Sequence, residues 1–461
     1  MHLVTIGGSD AGISAALRAR EAAPSWDVTV LLADAYPNFS ICGLPYYLSG
    51  DVPDWRRLAH RTAADLAAAG IEVRPLTRVD AIDPVARSLQ VRIGDGRADV
   101  VAYDALVIGT GAVSVVPPIE GLTGPDALGP RDGVHTLRTM DDAHAVMATL
   151  IERDPNRAVI VGAGYIGLEM AEALTVRGVQ VTQIEALPEV LPTLDPELGA
   201  LVHAELQARG VEVLTGTTVR SIAARPAGVV VRAEAPDGTP VTRYAEIVLV
   251  VVGVRPDVAI ARQAGAQLGA RGAIQVDRRM ATGVPDVFAA GDCAITHHRL
   301  LGDTWLPLGT TAHKQGRAAG ENAVGGHRRY PGSLGTQVVK VFDLVAARTG
   351  VRDAEAADRW APLTVAATAD DHKAYYPGAT PIRARITGDT GTGRLLGAQL
   401  VGHLSAEVAK RIDVLAAGIH QDMTVDAISD LDLSYTPPLG SPWDAVQLAA
   451  QQWVAAAVLG H

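Results

Sequence analysis

The sequence predicts an α/β chain with two Rossmann-like dinucleotide-binding domains, the first interrupted by the second, and a C-terminal α+β domain. Three observations predict it. A strand-like apolar run, a glycine turn and a helical stretch follow one another near the N-terminus, and the same order recurs from residue 158. Beyond residue 337 that order gives way to short alternating segments typical of an antiparallel sheet. At 461 residues the chain exceeds a single core and should form about three domains.

Composition narrows the function classes. A hydrophobic fraction of 48% with 20% charged residues is ordinary for a globular protein, and 47 glycines suit an enzyme with many strand-to-helix turns. The formal charge of −11 argues against nucleic acid or an anionic membrane as partner. No apolar run reaches the length of a membrane span, and the N-terminus enters a strand without the pattern of a signal peptide. A cytoplasmic location is expected, in keeping with only two cysteines. No metal site is expected.

In the first unit, residues 3–6 form a buried-strand run, followed by Gly7-Gly8-Ser9-Asp10-Ala11-Gly12 and a helical stretch over residues 13–23. A pyrophosphate sits on the N-terminus of such a helix, and glycines let the backbones approach. Ser9 stands where the middle glycine is usual. The second strand ends in Leu32 where an acid for the adenosine ribose is expected; either Asp34 serves from two residues further on, or that contact is missing. Downstream, residues 287–292 read as a strand ending in Gly291-Asp292, which places a carboxylate on a ribityl hydroxyl.

Cys42 lies between these parts, in Asn38-Phe39-Ser40-Ile41-Cys42-Gly43-Leu44-Pro45-Tyr46-Tyr47. Gly43 and Pro45 favour a turn or helix start that exposes the sulfur, and a helix dipole there favours thiolate. The competing reading of a free cysteine is a small buried hydrophobe, which is the reading preferred for Cys293.

The second unit carries a complete fingerprint, with a strand over residues 158–161 and then Gly162-Ala163-Gly164-Tyr165-Ile166-Gly167. The next strand, residues 180–184, ends in Glu185, in register for a carboxylate that bridges ribose hydroxyls. Ala186 and Leu187 follow it, with no arginine for a 2′-phosphate, so NADH is expected in preference to NADPH. Residues 103–112 read as the exit from the first domain and Gly253 to Asp257 as the return.

With these motifs in place the chain resembles, end to end, the two-dinucleotide-fold pyridine nucleotide-disulfide oxidoreductases. It is most similar to their single-cysteine branch of coenzyme A-disulfide reductases, NADH-dependent persulfide reductases and NADH oxidases. Cys42-Gly43-Leu44-Pro45-Tyr46-Tyr47 carries the likeness, with residues 308–317, 340–344, 375–381 and 434–438. The resemblance implies an FAD domain of residues 1–112 and 254–329, an NAD(H) domain of residues 113–253, and a dimerisation domain of residues 330–461 that makes a homodimer. It implies FAD among Gly7, Gly8, Ser9, Gly12, Asp34, Asn38, Thr110, Gly111, Asp292 and Ala312. NADH is implied among Gly162, Gly164, Tyr165, Ile166, Gly167, Glu185 and Gly253, with Glu169 near the nicotinamide. The chain departs from the family at Leu32, at Asn38 in place of serine, at Ile41 in place of asparagine, and at His313 in place of asparagine.

The resemblance also implies that electrons pass from NADH through FAD to Cys42. A lone cysteine closes no intrachain disulfide with a neighbour, so its oxidised form is a mixed disulfide, persulfide or sulfenic acid. Small disulfides, persulfides, peroxide or oxygen are then the acceptors. Tyr435, with Tyr375 or Tyr376, is implied to reach the site from the other subunit as proton donor or charge stabiliser, unless these tyrosines only pack an interface. Arg18, Arg20 and Arg61 supply a basic rim for a phosphorylated thiol, or a solvated basic face; Glu21 beside them weakens the first reading. Two rival readings are an NADH oxidase or peroxidase cycling Cys42 through sulfenic acid, and a reductase of a protein electron carrier.

Overall fold

The computed structural model describes residues 1–459; the last two residues expected in the C-terminal domain lie outside the described residues. The chain divides into two compact units, one of Met1–Val115, Arg138–Ala143 and Val254–Ser333, the other of Val116–Leu137, His144–Gly253 and Leu334–His461. Five helices matter below: α1 (Asp10–Ala22), α2 (Leu44–Ser49), α3 (Tyr165–Val176), α4 (Gly309–Ala323) and α5 (Ala445–Leu459).

The first unit is built on a five-stranded parallel sheet in the order Val287–Ala289, Ala105–Ile108, His2–Ile6, Asp27–Leu31, Ile71–Arg74. Its inner strands are rich in buried apolar residues because both faces are covered; Leu3, Val4, Leu106, Val107 and Ile108 are fully buried. α1 and α4 cross tightly over the sheet. A Cβ on Gly316 would strike the Ala11 carbonyl and one on Gly320 the Ala15 carbonyl, so glycine one turn apart on α4 sets how closely the helices approach. Ala112–Ser114 pairs antiparallel with Val254–Pro256, and Thr110 Oγ1 donates to the Asp257 carbonyl at 2.6 Å. The first exit from this unit and the last return to it therefore lie side by side.

The second unit holds a parallel sheet in the order Glu212–Leu214, Gln180–Ile184, Arg157–Val161, Ile247–Val250, Val134–His135. It also holds the expected antiparallel sheet, in the order Gln337–Val341, Leu344–Gly350, Leu395–His403, Pro381–Asp389, Pro362–Asp370. α5 buries Ala445, Val446, Ala449, Ala450 and Trp453 within its own unit. Trp453 Nε1 donates to the Leu363 carbonyl at 2.7 Å, and its ring fills the space a Cβ on Gly388 would need, 2.6 Å away. Trp453 is thus core, whereas Trp443 is exposed. Among the described residues no helix is long and apolar enough to cross a membrane.

One buried histidine in this unit gives a pH-dependent stability. His135 Nε2 lies 3.0 Å from Thr149 Oγ1, and burial, helped by Arg153, pushes the imidazole down to about 4. The unfolded chain then binds more protons than the fold between about pH 6.5 and 4, so stability falls as pH drops through that window. Thermal midpoints measured at pH 7 and pH 5 should drop more for the wild type than for His135→Leu.

Candidate active site and coenzyme loops

The first glycine turn is closed to side chains. Gly7 has φ +106° and sits under the Gly109 carbonyl, and a Cβ on Gly12 would strike the Gly7 carbonyl. α1 begins at Asp10, so its first-turn N–H groups lack intrahelical partners at this cradle, an arrangement suited to a pyrophosphate. Leu32 is buried, its Cδ1 2.6 Å from where a Gly8 Cβ would be. An apolar contact therefore fills the ribose-acid position, and Asp34 turns to its own backbone, accepting from Tyr36 N at 2.8 Å. Burial pushes the Asp34 carboxyl up.

Asp292 is less simply placed than the sequence suggests. Its carboxylate pairs with Arg138 Nη2 at 2.6 Å, both side chains being largely buried. Arg138 comes from the short Arg138–Ala143 stretch of this unit and carries no motif of its own. Gly291, at φ +83°, lets the strand end approach Ala11 and Ala312. Cys293 is fully buried, its Sγ 3.4 Å from the Ala290 carbonyl, and burial pushes the thiol up; it is a packed small residue.

Cys42 is exposed, in the helical turn Ile41–Gly43 just before α2. The segment carrying it is tied to the glycine turn: Asn38 N donates to the Gly8 carbonyl at 2.6 Å. Asn38 has φ +56°, a left-handed conformation that asparagine tolerates far better than most residues, which accounts for its presence there. Ser40 N donates to the Leu58 carbonyl and His60 N to the Asn38 carbonyl, both at 2.9 Å. Edge-on contacts of Tyr36 with Phe39 and Trp55 brace the approach to the cysteine.

A group of polar residues beside this segment was not legible in the sequence. His313 Nδ1 lies 2.9 Å from Ser14 Oγ and its Nε2 3.4 Å from Asp10 Oδ1, while the His60 ring meets it edge-on. Burial pushes the Asp10 carboxyl up, opposed by His313 and His60. The members come from three stretches of the chain, α1, the segment at His60 and α4, and the helix crossing at Gly316 and Gly320 brings the first and last together.

The basic rim takes a different form from a free cluster. Arg18 is held by Glu21 at 2.9 Å and Glu321 at 2.7 Å. Arg20 Nη1 donates to the carbonyls of Pro24 at 2.9 Å and Trp26 at 2.6 Å, which ties down the end of α1 instead of facing a ligand. Arg61 is exposed.

In the second unit Gly162 has φ +106° and a Cβ on Gly167 would strike its carbonyl, the same closed cradle. Glu185 is buried at the end of Gln180–Ile184, its Oε2 accepting from Ala163 N at 2.7 Å and its Oε1 from Leu187 N at 2.9 Å. The carboxylate thus lies within reach of the glycine loop. Tyr165 opens α3, its hydroxyl 3.2 Å from Thr193 Oγ1, with Ile166 after it and Glu169 half-buried one turn on. Gly164 precedes α3 as its N-cap, and Gly253, at φ +113°, ends this stretch of the unit. Tyr375, Tyr376 and Tyr435 are exposed, and a hydrogen bond to Tyr435 pushes the Tyr375 phenol up.

The chain thus holds two glycine-cradled helix starts, each with a carboxylate near it, and an exposed cysteine tied to the first. Residues 1–316 match the pyridine nucleotide-disulphide oxidoreductase family and residues 336–445 its dimerisation domain. The chain belongs to this family. A Pyrococcus abyssi relative named NAD(P)H sulfur oxidoreductase (CoA-dependent) is 33% identical, over 97% of each chain. The structure of an NAD-dependent persulfide reductase from A. fulgidus is 37% identical, with TM-score 0.92, covering 99% of this chain and 83% of that one. An engineered water-forming NADPH oxidase bound to NADPH, derived from the Lactobacillus brevis NADH oxidase, is 25% identical with TM-score 0.92 over 100% of each chain.

As a member of this family the chain is an FAD-dependent NAD(P)H oxidoreductase. Its residues fit both coenzymes: each cradle excludes a side chain and presents a helix N-terminus, the second has Glu185 in reach, and the first has the largely buried Arg138–Asp292 pair beside it.

Proposed function

We propose that this oxidoreductase reduces a small disulfide or persulfide through Cys42 with NADH as donor. The observation that carries the reading is the exposed Cys42 on a segment hydrogen-bonded to the first dinucleotide cradle. The curated and solved relatives named as sulfur oxidoreductase and persulfide reductase support it. FAD, when bound, supplies the two-electron relay between nicotinamide and thiol. The chain's own part is to hold Cys42 and to manage protons. The Cys42 thiolate attacks one acceptor sulfur and displaces the other as a thiolate, which takes a proton; a mixed disulfide remains on Cys42. The electron pair from one NADH cleaves that bond, restoring the Cys42 thiolate and releasing the second thiol. The balance is NADH + H⁺ + RSSR giving NAD⁺ + 2 RSH. We assign a homodimer through the C-terminal domain, with the exposed Tyr375 and Tyr435 pair offered to the partner's site.

The NADH preference rests on Glu185 and on a spacing. The engineered NADPH oxidase carries five substitutions, of a glycine, an aspartate, an alanine, a methionine and a proline. At the same spacing this chain has Gly167, Glu185, Ala186, Leu187 and Pro192, so it matches the unsubstituted pattern at glycine, alanine and proline, with an acid for the acid.

The test is an anaerobic assay with NADH and a panel of low-molecular-weight disulfides and persulfides. Thiol should appear at two per NADH for a disulfide acceptor. Turnover with oxygen alone, and none with any sulfur acceptor, would replace this reading by the oxidase.

A further inference from the structure

We infer that the acceptor reaching Cys42 is a disulfide or persulfide without phosphate groups, and that Glu21 and Glu321 are the residues that set this specificity. The inference rests on the reductase reading above and narrows its substrate class.

A continuous strip leads outward from the Cys42 segment. His60 pairs with Asn38 in the backbone, its ring meets His313, and His313 meets Ser14 and Asp10 across the α1/α4 crossing. One turn further along the two helices come Arg18 and Arg317, and another turn on Glu21 and Glu321. With a rise of 1.5 Å per residue, the strip extends about 12 Å beyond His313. This is the surface along which the far part of an acceptor would lie with its sulfur at Cys42.

The cations on that strip face carboxylates. Arg18 Nε donates to Glu321 Oε2 at 2.8 Å, its Nη2 lies 2.7 Å from the same oxygen, and its Nη1 donates to Glu21 Oε2 at 2.9 Å. Arg317 Nη1 lies 4.0 Å from Glu21, and Arg328 Nη1 3.6 Å from Glu321. Two carboxylates are thus shared among three guanidinium groups. A phosphate approaching Arg18 competes with two carboxylates already bonded to it and then stands beside those it displaces. Arg20, the other arginine of α1, is tied to backbone carbonyls. An acceptor with an uncharged or hydroxyl-bearing tail meets no such penalty.

The experiment compares coenzyme A disulfide with pantethine, the corresponding disulfide without the phosphates and nucleoside, using the holoenzyme and NADH. The wild type should reduce pantethine with a kcat/KM at least equal to that for coenzyme A disulfide. Glu21→Arg should raise kcat/KM for coenzyme A disulfide by about tenfold or more and leave pantethine within about threefold. Glu21→Gln, which adds no charge, should move the same ratio in the same direction by less. A wild-type preference for coenzyme A disulfide over pantethine, or an unchanged ratio in Glu21→Arg, overturns the inference. If neither disulfide is reduced while NADH is consumed with oxygen, the reductase reading itself fails and this inference falls with it.

Discussion

Replacing Cys42 by serine abolishes reduction of disulfide and persulfide acceptors, a fall on the order of 10³-fold or more in kcat/KM, as for loss of an enzyme nucleophile. NADH oxidation with ferricyanide, which needs no thiol, stays within about threefold of the wild type because neither coenzyme cradle contains Cys42. Serine is nearly isosteric, and Cys42 is exposed at a turn, so the fold is unaffected. The hydroxyl, however, is a poor nucleophile at neutral pH and forms no mixed disulfide. Asn38 gives a graded companion: its left-handed φ is tolerated by asparagine, and Asn38→Val should lower turnover by loosening the segment that presents the thiol. Retention of disulfide reduction in Cys42→Ser would make the cysteine structural and favour reduction of a protein carrier.

What the sequence made legible is what local chemistry dictates. A glycine turn between strand and helix requires positive φ and close backbone approach, so Gly7, Gly12, Gly162 and Gly167 announced their positions. Glu185 was readable from strand length alone. The alternation after residue 337 likewise gave the antiparallel sheet.

The rest was hidden because it depends on pairs far apart in the chain. Arg138 meets Asp292 only because a short stretch packs with the first unit, and His313 meets Asp10 only because α1 and α4 cross at glycines. Gly316 and Gly320, spaced one turn apart, were the available signal for that crossing. The basic rim shows the same limit. Arg18, Arg20 and Glu21 are neighbours on one helix, but Glu321 lies on α4, and no local pattern reveals that it takes Arg18.

The coenzyme choice follows from the second cradle. On the proposed reading the wild-type enzyme prefers NADH, because a buried carboxylate at Glu185 would accept ribose hydroxyls and repel a 2′-phosphate. Glu185→Ala should raise KM for NADH by about 10- to 150-fold, the equivalent of one hydrogen bond to a charged group at about 1.5–3 kcal/mol. It also releases the N–H groups of Ala163 and Leu187, so some of the loss comes through the loop. The single change removes repulsion but supplies no cation, and NADPH should gain little. Adding Ala186→Arg, Leu187→Ser and Pro192→Arg supplies two guanidinium groups, and Gly167→Ala shifts the loop, because its Cβ meets the Gly162 carbonyl. The five-fold variant should invert the ratio of kcat/KM for NADPH and NADH by at least about 10²-fold, two charge-assisted contacts at about tenfold each. Steady-state kinetics with both coenzymes and one acceptor measures it. A wild type that uses NADPH as well as NADH would show that Glu185 serves the loop through Ala163 and Leu187 and does not select the ribose.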